Sequence, residues 1–129
     1  MTESMLIGCR SSRKGIRVEK RKPGVEGLSA YGPEFFERFN GMFAIGAWDT
    51  ENQNLYISRD RFGVKPLYYW FNGKTFVFSS EIKAIIKHPE YEIDVDLGTL
   101  NEYFTFQNLF TYRTLFKGIE MLNTQRIWQ

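Results

Sequence analysis

Three features of the sequence could carry chemistry: a single thiol, an adjacent pair of opposite charges and a single imidazole. The thiol is Cys9, the charged pair is Arg59-Asp60, and the imidazole is His88. A thiolate can attack a carbonyl carbon, while a carboxylate or an imidazole can move a proton. His88 directly precedes Pro89, and we expect it to be an ordinary surface residue.

The charged pair Arg59-Asp60 follows an apolar segment, at the end of a predicted strand. A catalytic role is one interpretation of this pair. Because its neighbours are apolar, a buried and hydrogen-bonded ion pair with a structural role is the favoured interpretation.

Composition indicates one globular domain and sets few limits on function. The chain has 129 residues, 43% hydrophobic and 17% aromatic, with a net charge of +2, which suits a packed body and selects no class of partner. A single cysteine excludes an internal disulfide and suits the reducing cytoplasm. The apolar run at residues 5–7 is too short to span a membrane, so no membrane partner is expected.

The first 29 residues are predicted to be a basic, poorly ordered segment. Seven of the residues from 10 to 22 are Lys or Arg, which could bind nucleic acid or an anionic surface. No aromatic side chain is interleaved to stack on bases. A solvated leader is therefore favoured, and no nucleic-acid partner is expected.

Periodicity predicts a short helix followed by antiparallel strands. Phe35, Phe36 and Phe39 recur at helical spacing. The apolar run 42–48 predicts a strand covered on both faces, paired in a hairpin with residues 55–59.

Two turn signals continue the sheet. Gly63 and Pro66 mark a connector. Asn72-Gly73 then lies between two aromatic runs, 67–71 and 75–78, which is typical of a tight hairpin.

Helices are predicted after the strands. Ser79 or Ser80 would cap the first helix, with Glu81 in its first turn, and Pro89 would end it. Leu97, Leu100, Tyr103 and Phe104 predict a second helix, and residues 114–122 a loop with a short strand. Four antiparallel strands in one sheet with flanking helices make an α+β layered sandwich.

Three motifs, in order and spacing, resemble the second half of the class II glutamine amidotransferase domain of asparagine synthetases. They are Phe39-Asn40-Gly41-Met42-Phe43-Ala44-Ile45, Arg59-Asp60-Arg61-Phe62-Gly63-Val64-Lys65-Pro66-Leu67-Tyr68-Tyr69 and Phe78-Ser79-Ser80-Glu81-Ile82-Lys83-Ala84. The resemblance covers residues 30–122, which we predict to be a partial amidotransferase domain followed by a divergent tail, 123–129.

The resemblance implies a partial N-terminal-nucleophile hydrolase sandwich, mostly antiparallel sheet with flanking helices. Glutamine and aspartate would be substrates of the complete enzyme, and a homodimer is one assembly that fits the resemblance. Ammonia released from glutamine would pass through a tunnel lined by Met42 and Val64. ATP and Mg²⁺ would act in a synthetase domain outside this chain, and no cofactor or metal is expected within it. Glu81 and Lys83 could contact that domain, although a helix-start charge and a solvated lysine are favoured.

The sequence departs from the family where the chemistry would lie. The family nucleophile is a chain-terminal cysteine whose free amine acts as the base, but this sequence starts Met1-Thr2-Glu3. Cys9 does not match the family's start, and the segments that would bind glutamine and the oxyanion have no match. We therefore assign no catalytic residue, and we expect a fragment that is inactive alone. A small non-catalytic module that binds a partner through its sheet edge and basic arm is the alternative.

Overall fold

The computed structural model describes residues 32–49 and 52–124, and within them it shows an α+β fold. The elements, in chain order, are a 3₁₀ helix (Gly32–Arg38), β1 (Ala44–Asp49), β2 (Asn54–Arg59), β3 (Tyr68–Phe71), β4 (Phe76–Ser79), α1 (Ile82–Ile86), α2 (Leu97–Phe106) and β5 (Ile119–Met121). Cys9 and the basic segment 10–22 lie outside the described residues, as does the end of the tail, 125–129.

The described residues divide into two compact units. The first unit contains the residues up to Lys65 together with Thr124, and the second runs from Pro66 to Asn123. The predicted single sheet is therefore corrected, because β1 pairs only with β2, while a separate sheet has the order β4-β3-β5.

The first unit begins with the predicted aromatic helix, which is 3₁₀ rather than α. Phe36 is buried, and the ring of Phe39 lies with its centroid 4.9 Å from that of Phe35 and 5.3 Å from that of Phe43. Gly41 follows at a φ of +143°, a backbone angle that favours glycine. These rings fix the entry into β1.

The hairpin of β1 and β2 is confirmed, with Ala44 opposite Arg59 and Asp49 opposite Asn54. The prediction that this strand is covered on both faces is wrong for the described residues. Ala44 is buried, but Trp48 is exposed. A two-stranded sheet offers too little neighbouring surface to bury every residue of an apolar run.

The hairpin of β3 and β4 is also confirmed, but its loop is wider than a two-residue turn. Phe71 pairs with Phe76, and the side-chain oxygen of Asn72 accepts from the N–H groups of Lys74 (3.0 Å) and Thr75 (2.7 Å). Gly73 has a φ of +90°. Asn72 closes the loop by binding the backbone, a common use of asparagine in turns.

The core of the second unit lies between the three-stranded sheet and α1. Trp70, Ile85, Tyr91 and Ile119 form this buried cluster. His88 is half-buried rather than a free surface residue, because its ring lies 6.0 Å from that of Trp70.

The predicted cap of α1 is wrong. Glu81 is the N-cap residue and its side chain makes no capping hydrogen bond. Its carboxylate lies 2.6 Å from the Lys83 ammonium, and the Ser79 hydroxyl accepts from the Glu81 N–H at 3.2 Å. The Ser79 hydroxyl therefore binds the backbone of the N-cap residue rather than an N–H group of the helix itself.

Helix α2 is capped by Asp96, whose carboxylate accepts from the Thr99 N–H at 3.0 Å. In residues 32–49 and 52–124, neither α-helix has the length and apolar character needed to cross a bilayer.

Candidate functional site

Among the described residues of the first unit, a connected set of polar contacts lies in the Asp60 loop, residues 59–65. Asp60 is buried at the end of β2. Its two carboxylate oxygens accept from the backbone N–H groups of Val64 (2.9 Å) and Lys65 (3.0 Å). Its own carbonyl accepts from the Gly63 N–H at 3.0 Å. Asp60 thus closes the loop through both its side chain and its backbone carbonyl.

The charge on Asp60 is stabilised in this position. Burial raises the pKa of its carboxyl, but the backbone donors Lys65 and Val64 and the positive charge of Arg59 lower it, so the pKa lies below its ordinary value of 3.8. Asp60 is therefore an anion at neutral pH. Both carboxylate oxygens accept hydrogen bonds from the loop backbone, which suits a positioning role more than proton transfer.

Arg59 makes the second closure of the loop. Its guanidinium is buried and donates to the Gly63 carbonyl. Gly63 has a φ of +64°, and a Cβ there would collide with this guanidinium. Only glycine combines that backbone angle with the space that the arginine needs.

The Asp60 loop is joined to the strand that follows Met42. The Asp60 N–H donates to the Phe43 carbonyl at 2.9 Å. Two hydrogen bonds therefore connect Phe43 to Asp60 and Asp60 to Val64. Met42 directly precedes Phe43 in the chain, so this connection links the backbone near Met42 to that of Val64. Both have partly exposed side chains, 42% for Met42 and 50% for Val64.

The other predicted site residues lie in the second unit. Pro66 is exposed, Ser80 is half-buried and Glu81 is exposed. Glu81 pairs with Lys83, which fits the interpretation of a helix-start charge beside a solvated lysine.

Sequence reasoning named the residues of the Asp60 loop but missed the connection to Phe43. An aspartate followed three residues later by glycine is a local sign of a closed loop. The carbonyl of Phe43 has no local sign, because it is 17 positions away in the sequence. Across the described ranges, no three His, Cys, Asp or Glu side chains converge in a group that could hold a metal ion.

The profile of the glutamine amidotransferase domain matches residues 25–129. This chain belongs to that domain family. The match includes the whole Asp60 loop, the strands on either side of it and both α-helices.

Relatives of this amidotransferase chain include curated proteins of named function. It is 44% identical over 85 residues to asparagine synthetase [glutamine-hydrolyzing] 3 of Bacillus subtilis (strain 168), covering 65% of this chain and 14% of the relative. It is 36% identical over 77 residues to asparagine synthetase [glutamine-hydrolyzing] 1 of the same strain, covering 60% and 12%. It is 38% identical over 56 residues to the amidase chry2 of Gibberella zeae, covering 43% and 8%.

These comparisons confirm the predicted resemblance to the amidotransferase domain of asparagine synthetases. The chain spans about one seventh of the length of the Bacillus subtilis relative that it matches over 85 residues.

Proposed function

We propose that this chain forms part of the glutaminase domain of a cytoplasmic, glutamine-hydrolysing asparagine synthetase. The observation that carries the proposal is the family match over residues 25–129. The names of the Bacillus subtilis relatives support glutamine as the substrate of the complete enzyme. In the proposal, aspartate accepts the ammonia, ATP and Mg²⁺ act in a synthetase region outside the matched residues, and the complete enzyme is a homodimer.

The part played by this chain is to hold an apolar wall beside the path of ammonia. Met42 and Val64 would form that wall. Apolar side chains disfavour the charged ammonium ion and so keep ammonia neutral and nucleophilic. The hydrogen bonds that join Asp60 to Phe43 and Val64 support this assignment, since they restrain the backbone at Val64 and at Phe43, the neighbour of Met42.

The test is a chimaera that replaces the matched segment of the Bacillus subtilis asparagine synthetase 3 with that of this chain. Asparagine formation is measured with glutamine and, separately, with ammonium as the nitrogen source. We expect the chimaera to use both sources. Ammonium needs no glutaminase domain, so its use serves as the control for an intact synthetase domain.

A chimaera that uses ammonium but not glutamine would contradict the proposal. A second chimaera carries Val64→Asp, which puts a charge in the proposed wall. We expect it to hydrolyse glutamine while forming less asparagine for each glutamate released. An unchanged ratio would remove Val64 from the path of ammonia.

A further inference from the structure

The chain contains two Asn-Gly pairs, and both lie in exposed connections. Asn40-Gly41 stands between the 3₁₀ helix and β1, and Asn72-Gly73 lies in the loop between β3 and β4. Each glycine has a positive φ, +143° for Gly41 and +90° for Gly73. A Cβ on either glycine would meet nothing within 4 Å. The two pairs therefore present the same reactive atoms in equally open surroundings.

An Asn-Gly pair can modify itself without a catalyst. The backbone nitrogen of the glycine attacks the Cγ of the asparagine side chain, and the new C–N bond closes a cyclic imide. The side-chain nitrogen leaves as ammonia and takes with it the proton of the attacking N–H. Water then opens the imide at one of its two carbonyl groups, which gives aspartate or isoaspartate. Glycine favours this reaction because it has no Cβ to hinder the approach of its nitrogen.

The side chain of Asn72 is restrained by hydrogen bonds at both ends of its amide. Its oxygen accepts from the N–H groups of Lys74 (3.0 Å) and Thr75 (2.7 Å), and its nitrogen donates to the Glu90 carboxylate at 3.3 Å. The Thr75 hydroxyl donates to the same carboxylate oxygen at 2.6 Å, which holds that acceptor in place. Deamidation expels the nitrogen that Glu90 binds and draws the Cγ towards Gly73. The hydrogen bonds of this loop therefore oppose the reaction.

The side chain of Asn40 is exposed and lacks this restraint. Within residues 32–49 and 52–124, no hydrogen bond joins its side chain to another residue, and the Gly41 N–H has no acceptor. The backbone before it is anchored, since the Phe39 N–H donates to the Phe36 carbonyl at 3.2 Å. The amide of Asn40 can therefore rotate towards the Gly41 nitrogen without breaking a hydrogen bond to the described residues.

We infer that Asn40 is a site of spontaneous deamidation, and that the loop of Asn72 protects the same dipeptide there. This chemistry belongs to the chain itself and is independent of the proposed function. Isoaspartate at position 40 adds a methylene group to the main chain and a negative charge. The added length falls between Phe39 and Phe43, whose ring centroids are 5.3 Å apart. Because the Phe43 carbonyl accepts from the Asp60 N–H at 2.9 Å, the modification also acts on the Asp60 loop.

The experiment is incubation of the full 129-residue chain at mildly alkaline pH, followed by proteolysis and mass spectrometry of the peptides that contain each pair. Exchange of NH₂ for OH changes the mass of the peptide and so locates the modification. In the folded chain, Asn40 should deamidate at least roughly tenfold faster than Asn72, a factor that corresponds to about one hydrogen bond lost before reaction. In urea the loop is unfolded, and the two rates should become similar.

Two variants serve as matched controls. Glu90→Ala removes the acceptor of the Asn72 amide, so it should speed deamidation at Asn72 and leave the rate at Asn40 unchanged. Asn40→Gln keeps the amide but lengthens the side chain, so the cyclic imide closes more slowly and the fast reaction should disappear.

Equal rates at the two pairs in the folded chain, or faster reaction at Asn72, would overturn the inference. So would a preference for Asn40 that persists in urea, because the neighbouring residue types rather than the fold would then set it.

Hydrogen exchange of the isoaspartate form, separated by ion exchange, measures the structural consequence. The Asp60 amide should exchange faster than in the unmodified chain. The Lys117 amide, which donates to the Asp94 carbonyl at 2.9 Å in the second unit, should be unchanged. Unchanged exchange at Asp60 would overturn the inferred effect on the Asp60 loop.

Discussion

At the scale of single residues, Asp60 holds together the loop that follows β2. Its carboxylate accepts two backbone hydrogen bonds within its loop, while the backbone N–H of the same residue donates to the Phe43 carbonyl just before β1. Each bond to a charged acceptor contributes about 1.5–3 kcal/mol. Replacing one carboxylate oxygen by an NH2 group leaves one of the two part-buried N–H donors facing another donor, which is more costly than losing the bond alone.

We predict that Asp60→Asn lowers the free energy of unfolding by roughly 2–4 kcal/mol at pH 7, since its amide nitrogen would face one of the two N–H donors. The pKa of Asp60 is lower in the folded state than its ordinary value of 3.8. The stabilisation is therefore fully present above the unfolded-state pKa and disappears as the pH falls through the folded-state pKa. The difference between wild type and variant should shrink below about pH 4.

Urea unfolding at pH 7 and at pH 2.5, with hydrogen exchange of the Val64 and Lys65 amides as a local measure, would check this prediction. Asp94→Asn is the control, because Asp94 pairs with Lys117 at the surface and should have little effect. A difference for Asp60→Asn that is the same at both pH values would mean that its carboxylate does not stabilise the loop through its charge.

At the scale of elements, local signals in the sequence predicted well and distant ones did not. Asn72-Gly73 placed the second hairpin because asparagine and glycine act on their own backbone. Pro89 likewise marked the end of α1. The division of the strands into two sheets depends on which strands meet, and β5 joins β3 across some fifty positions. No pattern within a single strand contains that information.

The same distinction applies to the candidate site. Arg59, Asp60 and Gly63 were named from their motif, and their hydrogen bonds are mostly within the loop. The exposure of Tyr103 and Phe104 on α2 could not be predicted, because helical spacing shows which residues share a face but not which face is covered.

The short strand β5 depends on a buried hydroxyl. Thr114 is buried. Its hydroxyl donates to the Ile119 carbonyl at 2.8 Å and accepts from the Phe116 N–H at 3.2 Å. We predict that Thr114→Val, which keeps the shape but removes the hydroxyl, lowers the free energy of unfolding by about 1–3 kcal/mol. Thermal or urea unfolding measures this loss.

Thr105→Val makes the same change at an exposed hydroxyl, which donates to the Asn101 carbonyl within α2. It should alter stability by no more than about 0.5 kcal/mol. Equal effects of the two substitutions would argue that the buried hydroxyl of Thr114 does not hold the turn into β5.

At the scale of the whole molecule, the family match and the single cysteine make opposite suggestions about activity. The matched residues belong to a domain named for glutamine chemistry, but Cys9 lies before them and its α-nitrogen is bonded to Gly8. An amide nitrogen is not a base, so a thiol in that position lacks the proton acceptor that a chain-terminal cysteine carries.

We therefore predict that the 129-residue chain releases no glutamate from glutamine above the rate in buffer. The measurement is glutamate formation over time, with Cys9→Ala as the matched variant, and the two chains should be indistinguishable. Turnover by the wild type that Cys9→Ala abolishes would show instead that Cys9 is a working nucleophile, and mass spectrometry would then reveal whether cleavage after Gly8 had freed its amine.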